Sequence, residues 1–270
     1  MQLKVIKKGN GEMPLLVFHG IGQTGAECFG PLAERLADHC TTYLFDLPFH
    51  GESRIFFKDD RWESGRRPLS GQEWADYLDD FLKSAGIDRF SVAGFSLGGR
   101  FALATLAFFG SRVEHAFLIA PDGVVDQPVF RLATSTPLFR AIFEGVTRHP
   151  RILLNVAQVL SRTGLIHASL LKILHFLASG GKFSETVYRS WTNFRNLGFQ
   201  LLADSPDAPV TMRKVYVFLG SYDRLVQKKD VNPLVKRLPE SNFICLRAGH
   251  GSLVRQAVPE MLRIMLTNRR

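Results

Sequence analysis

A chain of 270 residues, 46% hydrophobic and 22% charged, is long enough to bury a large core in one enzyme-sized domain, and it shows no disordered tract, repeat or low-complexity segment. Its formal net charge of +9 comes without a basic run interleaved with aromatics, so nucleic-acid binding finds no support. Cys28, Cys40 and Cys245 lack metal-ligand spacing and read as reduced structural thiols, the first ten residues lack a secretory signal, and nothing approaches the roughly 18 consecutive apolar residues of a membrane span, so a cytoplasmic protein without a transmembrane segment is expected.

In chain order, Leu3–Ile6 alternates like a strand, and Leu15–Phe18 is an apolar run ending in the glycine-permitted turn His19-Gly20-Ile21-Gly22. Ala26–His39 reads as a helix with Phe29, Leu32, Ala33 and Leu36 on one side. Tyr43–Phe45 is a strand leading into Asp46-Leu47-Pro48-Phe49-His50-Gly51-Glu52-Ser53. Ser70 and Glu73 form a capping-box pattern ahead of a helix to Ser84, carried by Trp74, Tyr77, Leu78, Phe81 and Leu82. Strands follow at Arg89–Phe95 and Val113–Ile119 with a helix, Leu97–Phe109, between them; the second strand ends at Ala120-Pro121-Asp122-Gly123. From Gly123 to about Ala208 the alternation gives way to helical patterns at Arg131–Val146, Arg151–Ser161, Ala168–Ala178 and Ser184–Leu197. It resumes with a strand at Lys214–Leu219, a helix around Asp230–Arg237, a strand at Phe243–Leu246 and a closing helix, Ser252–Thr267. Such alternation implies a mostly parallel sheet with helices on both faces.

The chemistry concentrates at Gly94-Phe95-Ser96-Leu97-Gly98, a Gly-x-Ser-x-Gly core between a strand and an apolar helix. A serine at such a turn needs small neighbours at minus two and plus two, so that strand and helix can approach. The new helix then aims its N–H groups at the space above the hydroxyl. Three further positions recur after strands: His19-Gly20 after the first buried one, Asp223 after Val217–Leu219, and His250 in Gly249-His250-Gly251 after Phe243–Leu246.

At these residues the chain resembles the α/β-hydrolase superfamily, in which a His-Gly turn, a nucleophile elbow, an acid and a histidine occur in this order. The resemblance covers nearly the whole chain. It implies an α/β-hydrolase core formed by residues 1–122 and 209–270, with an inserted helical lid at 123–208. It also implies a triad: Ser96 as nucleophile, His250 as base and Asp223 as the acid that orients it, with Asp122 as the rival acid. The oxyanion hole falls to the backbone N–H groups of Ile21 and Leu97, while His19 and His50 take structural roles tying loops together. Two departures stand out. Phe49 occupies the place of a usual glycine, so the backbone there is expected to avoid positive φ. The short N-terminus is expected to lack one early antiparallel strand.

Arg100 lies one helical turn beyond Ser96 and is the one candidate for substrate binding. Ser96-Leu97-Gly98-Gly99-Arg100 resembles the elbow of the menaquinone-pathway lyase that eliminates pyruvate, where arginines hold substrate carboxylates. A scaffold ion pair is the favoured alternative. The expected activity is serine hydrolysis of a carboxylic ester or thioester, or of a C–C bond, on a small molecule; the lid's Phe and Leu residues suggest an apolar acyl pocket. A pyruvate-eliminating lyase and a non-catalytic ligand-binding protein on the same scaffold are the alternatives. The serine at position 96 disfavours epoxide hydrolysis and dehalogenation, which need a carboxylate there. No metal or organic cofactor is expected, because no His-x-x-x-His pair, phosphate loop or dinucleotide fingerprint is present. The lid carries nine basic and five acidic residues, hence +4 of the whole charge. Dispersed charges of this kind read first as a solvated helix face, with steering of an anionic substrate or contact with an anionic membrane surface as the other readings.

Overall fold

The computed structural model describes residues 1–53, 67–148, 182–206 and 208–267. Strand-forming runs bounded by turn residues become the strands β1 (Val5–Lys8), β2 (Met13–Phe18), β3 (Cys40–Phe45), β4 (Phe90–Phe95), β5 (Val113–Ile119), β6 (Val215–Gly220) and β7 (Phe243–Leu246). They form one sheet in the order β1-β3-β2-β4-β5-β6-β7. Only β1 is antiparallel, pairing Val5 with Phe45 at the sheet edge; β2 to β7 are parallel. Every residue of β4 is buried, as a parallel strand covered on both faces requires.

The helices α1 (Gly25–Arg35), α2 (Gly71–Ser84) and α3 (Gly98–Phe109) connect these strands. From β2 the chain passes through α1 to one neighbour, β3, and then crosses back through α2 to the other neighbour, β4. Crossovers between parallel strands are right-handed, so a reversal of direction puts α1 and α2 on opposite faces. The reversal also opens a crevice at the carboxyl ends of β2 and β4, the position where doubly wound sheets bind their ligands. On the α2 face, Trp74 packs its ring 5.4 Å from Phe18 and 4.9 Å from Phe101, and its Nε1 donates to Thr105 Oγ1 at 3.0 Å. This locks α2 to α3, the helix that carries the elbow.

Beyond β5 come α4 (Pro128–Ser135), α5 (Pro137–Arg148), α6 (Lys182–Asn193), α7 (Phe199–Ala203) and α8 (Ala208–Met212), and later α9 (Lys228–Val235) and α10 (Leu253–Thr267). The expected single helix over Arg131–Val146 is two helices. Thr136 is extended, with φ −125° and ψ 161°, because the ring of Pro137 bars a preceding residue from the helical region. The expected helices at 151–161 and 168–178 lie outside the described residues. The chain divides into two compact units, one formed by Met1–Phe56, Leu69–Asp126 and Asn196–Arg270, the other by Phe57–Pro68 and Gln127–Arg195. The first contains the whole sheet. In the second, Trp191 of α6 packs against Phe130 of α4 and Phe143 of α5 at ring distances of 5.3 and 5.5 Å. Among the described residues no helix is long and apolar enough to cross a membrane.

Candidate active site

Ser96 has φ 50°, in the left-handed region that a residue with a Cβ occupies at a cost. Its backbone is held on both sides by the segment after β5: Ser96 N–H donates to Ile119 O at 3.0 Å, and Asp122 N–H donates to Ser96 O at 2.9 Å. The glycines two residues away are required by space rather than by their own torsions. A Cβ on Gly94 would lie 2.5 Å from Gly98 O, and one on Gly98 would lie 1.9 Å from Phe18 O. The second contact presses the start of α3 against the end of β2, so the His19-Gly20-Ile21 turn borders the elbow. A Cβ on Gly20 would meet the Phe95 ring at 3.0 Å.

Asp223 follows β6 in a loop tied to the end of β7, where Ser221 N–H donates to Leu246 O at 2.8 Å and Tyr222 N–H to Ala248 O at 3.1 Å. Its Oδ1 accepts from the N–H groups of Leu225 and Val226 at 2.8 and 3.1 Å, which leaves Oδ2 for His250 Nδ1 at 2.7 Å. Burial pushes the Asp223 carboxyl up, but the bonds from His250, Val226 and Leu225 outweigh it and hold it below the usual carboxylate range. An ionised acceptor fixes the proton of neutral His250 on Nδ1 and leaves a lone pair on Nε2. The His250 ring sits 4.8 Å from that of Phe95, the residue before Ser96.

Asp122 is engaged elsewhere. Arg100 Nε donates to its Oδ2 at 2.8 Å and Nη2 to its Oδ1 at 3.3 Å; Nη2 also reaches Asp126 Oδ1 at 2.5 Å and Nη1 reaches Leu197 O at 2.9 Å. Arg100 is 1% exposed. Burial alone would pull its pKa down, yet Asp122 and Asp126 push it up, so it stays a buried cation among its own carboxylates. Sequence reasoning weighed Arg100 and Asp122 separately and missed Asp126 and the Leu197 carbonyl. An arginine one turn after the elbow and an aspartate just past the adjacent parallel strand were the available signal.

His19 is wholly buried. Its Nε2 accepts from Leu47 N–H at 2.9 Å, so Nδ1 carries the proton and donates to Gly20 O at 2.7 Å. Burial, and then neighbouring His50, lowers its pKa to about 3. His50 donates from Nδ1 to Pro48 O at 2.9 Å and meets the His19 ring edge-on at 4.9 Å. The expectation at Phe49 is overturned: its φ is 67°. His50 N–H bonds Leu47 O at 3.0 Å, closing a turn with Pro48 as its second residue, and the positive φ of Phe49 at the third position makes it a type II turn, in which a proline at the second position is common. Among the described residues no group of three His, Cys, Asp or Glu is arranged to hold a metal ion.

Comparison with known proteins agrees with this architecture. Human 1-acylglycerol-3-phosphate O-acyltransferase ABHD5 is 29% identical over 129 residues, which is 47% of this chain and 34% of that protein. An uncharacterised Mycobacterium tuberculosis protein is 32% identical over 128 residues, with the same shares. The matched stretch thus spans about a third of the length of these curated relatives. Among solved structures, a thermophilic esterase from Thermogutta terrifontis superposes with a TM-score of 0.65 at 19% identity, over 98% of this chain and 93% of that one. The enol-lactonase from Burkholderia xenovorans gives 0.64 at 17% identity, over 97% and 95%. The family model described as the alpha/beta hydrolase family matches residues 15–261, a span that runs from β2 through β7 into α10, and the chain belongs to that family.

Proposed function

We propose that the protein is a serine hydrolase of a carboxylic ester or thioester, with Ser96 as nucleophile, His250 as general base and Asp223 as its orienting acid. The observation that carries this reading is the 2.7 Å bond between His250 Nδ1 and an Asp223 carboxylate whose other oxygen is already taken by two backbone N–H groups. A hydroxyl is a poor nucleophile until a base takes its proton. His250 Nε2 would accept that proton as Ser96 Oγ attacks the acyl carbonyl, and the Asp223 carboxylate would stabilise the resulting imidazolium without being protonated itself. The carbonyl oxygen becomes an oxyanion held by Ile21 and Leu97 N–H, a donor set in which each member is worth about 10²–10³ in rate. His250 then returns its proton to the leaving alcohol or thiol. Water, activated by the same base, releases the acid from the acyl-enzyme.

Arg100 is satisfied by Asp122, Asp126 and Leu197, which favours a scaffold role over capture of a substrate carboxylate and weighs against the lyase alternative. The acyltransferase named among the relatives supports a second reading, in which an alcohol rather than water takes the acyl group.

A fluorophosphonate probe, with a panel of p-nitrophenyl esters, acyl-thioesters and C–C cleavage substrates, tests the proposal. Ser96 is expected to be the labelled residue, and Ser96→Ala to remove turnover by about a million-fold with an unchanged circular dichroism spectrum. An active, folded enzyme with unlabelled Ser96 refutes the assignment. Faster product formation with added glycerol or lysophosphatidate favours acyl transfer.

A further inference from the structure

We propose that Arg100 is a positioning residue for Ser96: through Asp122 its guanidinium fixes the segment after β5 whose backbone holds Ser96 in the elbow conformation. The inference rests on the reading of Ser96 as the nucleophile and extends it to a residue that touches neither substrate nor triad.

The left-handed backbone of Ser96 is not self-supporting, because a residue with a Cβ leaves φ 50° unless its neighbours prevent it. Two of its backbone hydrogen bonds run to one segment, Ile119 O and Asp122 N–H, across the β4–β5 pair. That segment is itself out of the ordinary. Ala120 lies at φ 42°, Gly123 at φ 88°, and the turn passes so near α3 that a Cβ on Gly99 would stand 2.6 Å from Pro121 Cβ. Relaxing it would carry the Asp122 N–H away from Ser96 O.

What pins it is the Asp122 carboxylate. Two bonds from Arg100 grip it, and its Oδ1 also accepts Gly123 N–H at 2.7 Å. Arg100 in turn is fixed from three directions, by Asp122, by Asp126 and by Leu197 O, and its own N–H donates to Leu97 O at 3.1 Å in the first turn of α3. A closed ring results: Ser96 carbonyl, Asp122 backbone, Asp122 carboxylate, Arg100 guanidinium, and the first turn of α3 back to Ser96. Each member has one geometry. A small displacement of the Asp122 carboxylate therefore turns the Ser96 peptide and swings its Cα–Cβ bond, and reacting groups misplaced by about 1 Å lose about 10²-fold in rate.

Arg100→Met and Asp122→Asn, separately and together, test the inference in protein shown to be folded by circular dichroism well below its melting temperature. Each single variant is expected to lower kcat and the phosphonylation rate of Ser96 about tenfold, with KM within twofold. The loss should be equal on neutral and carboxylated esters, and the double variant should lose no more than the worse single one, since the two act as a unit. Amide exchange followed by NMR supplies a readout independent of activity: the Asp122 amide should exchange at least tenfold faster in Arg100→Met, while amides of β2 and β3 keep their rates. If Arg100→Met does not fold, Asp122→Asn, which preserves shape, is read in the same way. Unchanged kcat together with unchanged Asp122 exchange overturns the proposal, as does a loss confined to carboxylated substrates. A wild-type protein that shows no labelling at Ser96, yet speeds Asp122 exchange on losing Arg100, sinks the hydrolase reading and leaves the ring standing.

Discussion

Asp223 and Asp122 each follow a parallel strand by a few residues, and their surroundings set them apart. One is buried against a histidine and two backbone donors; the other is gripped by a buried arginine. Asp223→Asn is therefore expected to lower kcat by about 10⁴, the scale on which a lost triad carboxylate leaves its histidine in the wrong tautomer. Asp122→Asn should cost about tenfold, and steady-state kinetics on one ester compares the two. His19 gives a pH signature. The folded protein holds it neutral with a pKa of about 3, whereas the unfolded chain protonates it near 6.5. The unfolded state thus binds more protons below 6.5, so the stabilisation is fully present above that pH and is lost as pH falls toward 3, by on the order of 5 kcal/mol at the limit. Melting temperature recorded from pH 7 to 4 should fall, and the fall should be shallower in His19→Gln; buried His50, whose pKa is also lowered, accounts for part of what persists. Phe49 marks where residue-level reading stops. A missing glycine disfavours positive φ without forbidding it, and Pro48 with the Leu47–His50 bond fits a type I turn as well as a type II one, so the φ of 67° at Phe49 came only with the structure.

Elements were legible where one local rule governs them. Ser70 and Glu73 exchange both capping hydrogen bonds at the start of α2, and Ser70→Ala is expected to cost about 1 kcal/mol, read as a drop in Tm of roughly 3 °C. Thr24 and Glu27 make the same box at α1, one turn residue earlier than apolar spacing alone places the helix start. Gly98 belongs to two elements at once. Gly98→Ala would drive a methyl to 1.9 Å from the carbonyl of Phe18, so α3 or β2 must move. The expected cost is about 3 kcal/mol or more, with Tm lower by roughly 10 °C in a calorimetric scan. Pro137 was visible in the sequence, but apolar spacing ran through it, and the break between α4 and α5 follows from its ring rather than from hydropathy.

At the scale of the molecule, a mostly parallel sheet with helices on both faces was legible from the alternation of strand and helix patterns, while the order of its strands came only with the structure. Partnerships between distant segments were not. Nothing local to Arg100 announces a bond to a carbonyl 97 residues later, and periodicity carries no trace of it. That bond has company: Phe199 N–H donates to Gly123 O at 2.8 Å, and a Cβ on Gly198 would lie 2.6 Å from the same oxygen. Outgoing and returning chain are stapled together on the first unit, with Arg100 riveting both. A segment that leaves and re-enters a fold through a single gate is replaceable, since closing a loop twice as long costs only about 0.6 kcal/mol more. Exchange of residues 127–195 for a short glycine–serine linker is accordingly expected to leave one cooperative calorimetric transition. In engineering terms the gate is a docking port, a place where a foreign segment can be spliced between Asp126 and Asn196 without cutting the sheet or the turn that carries Ser96.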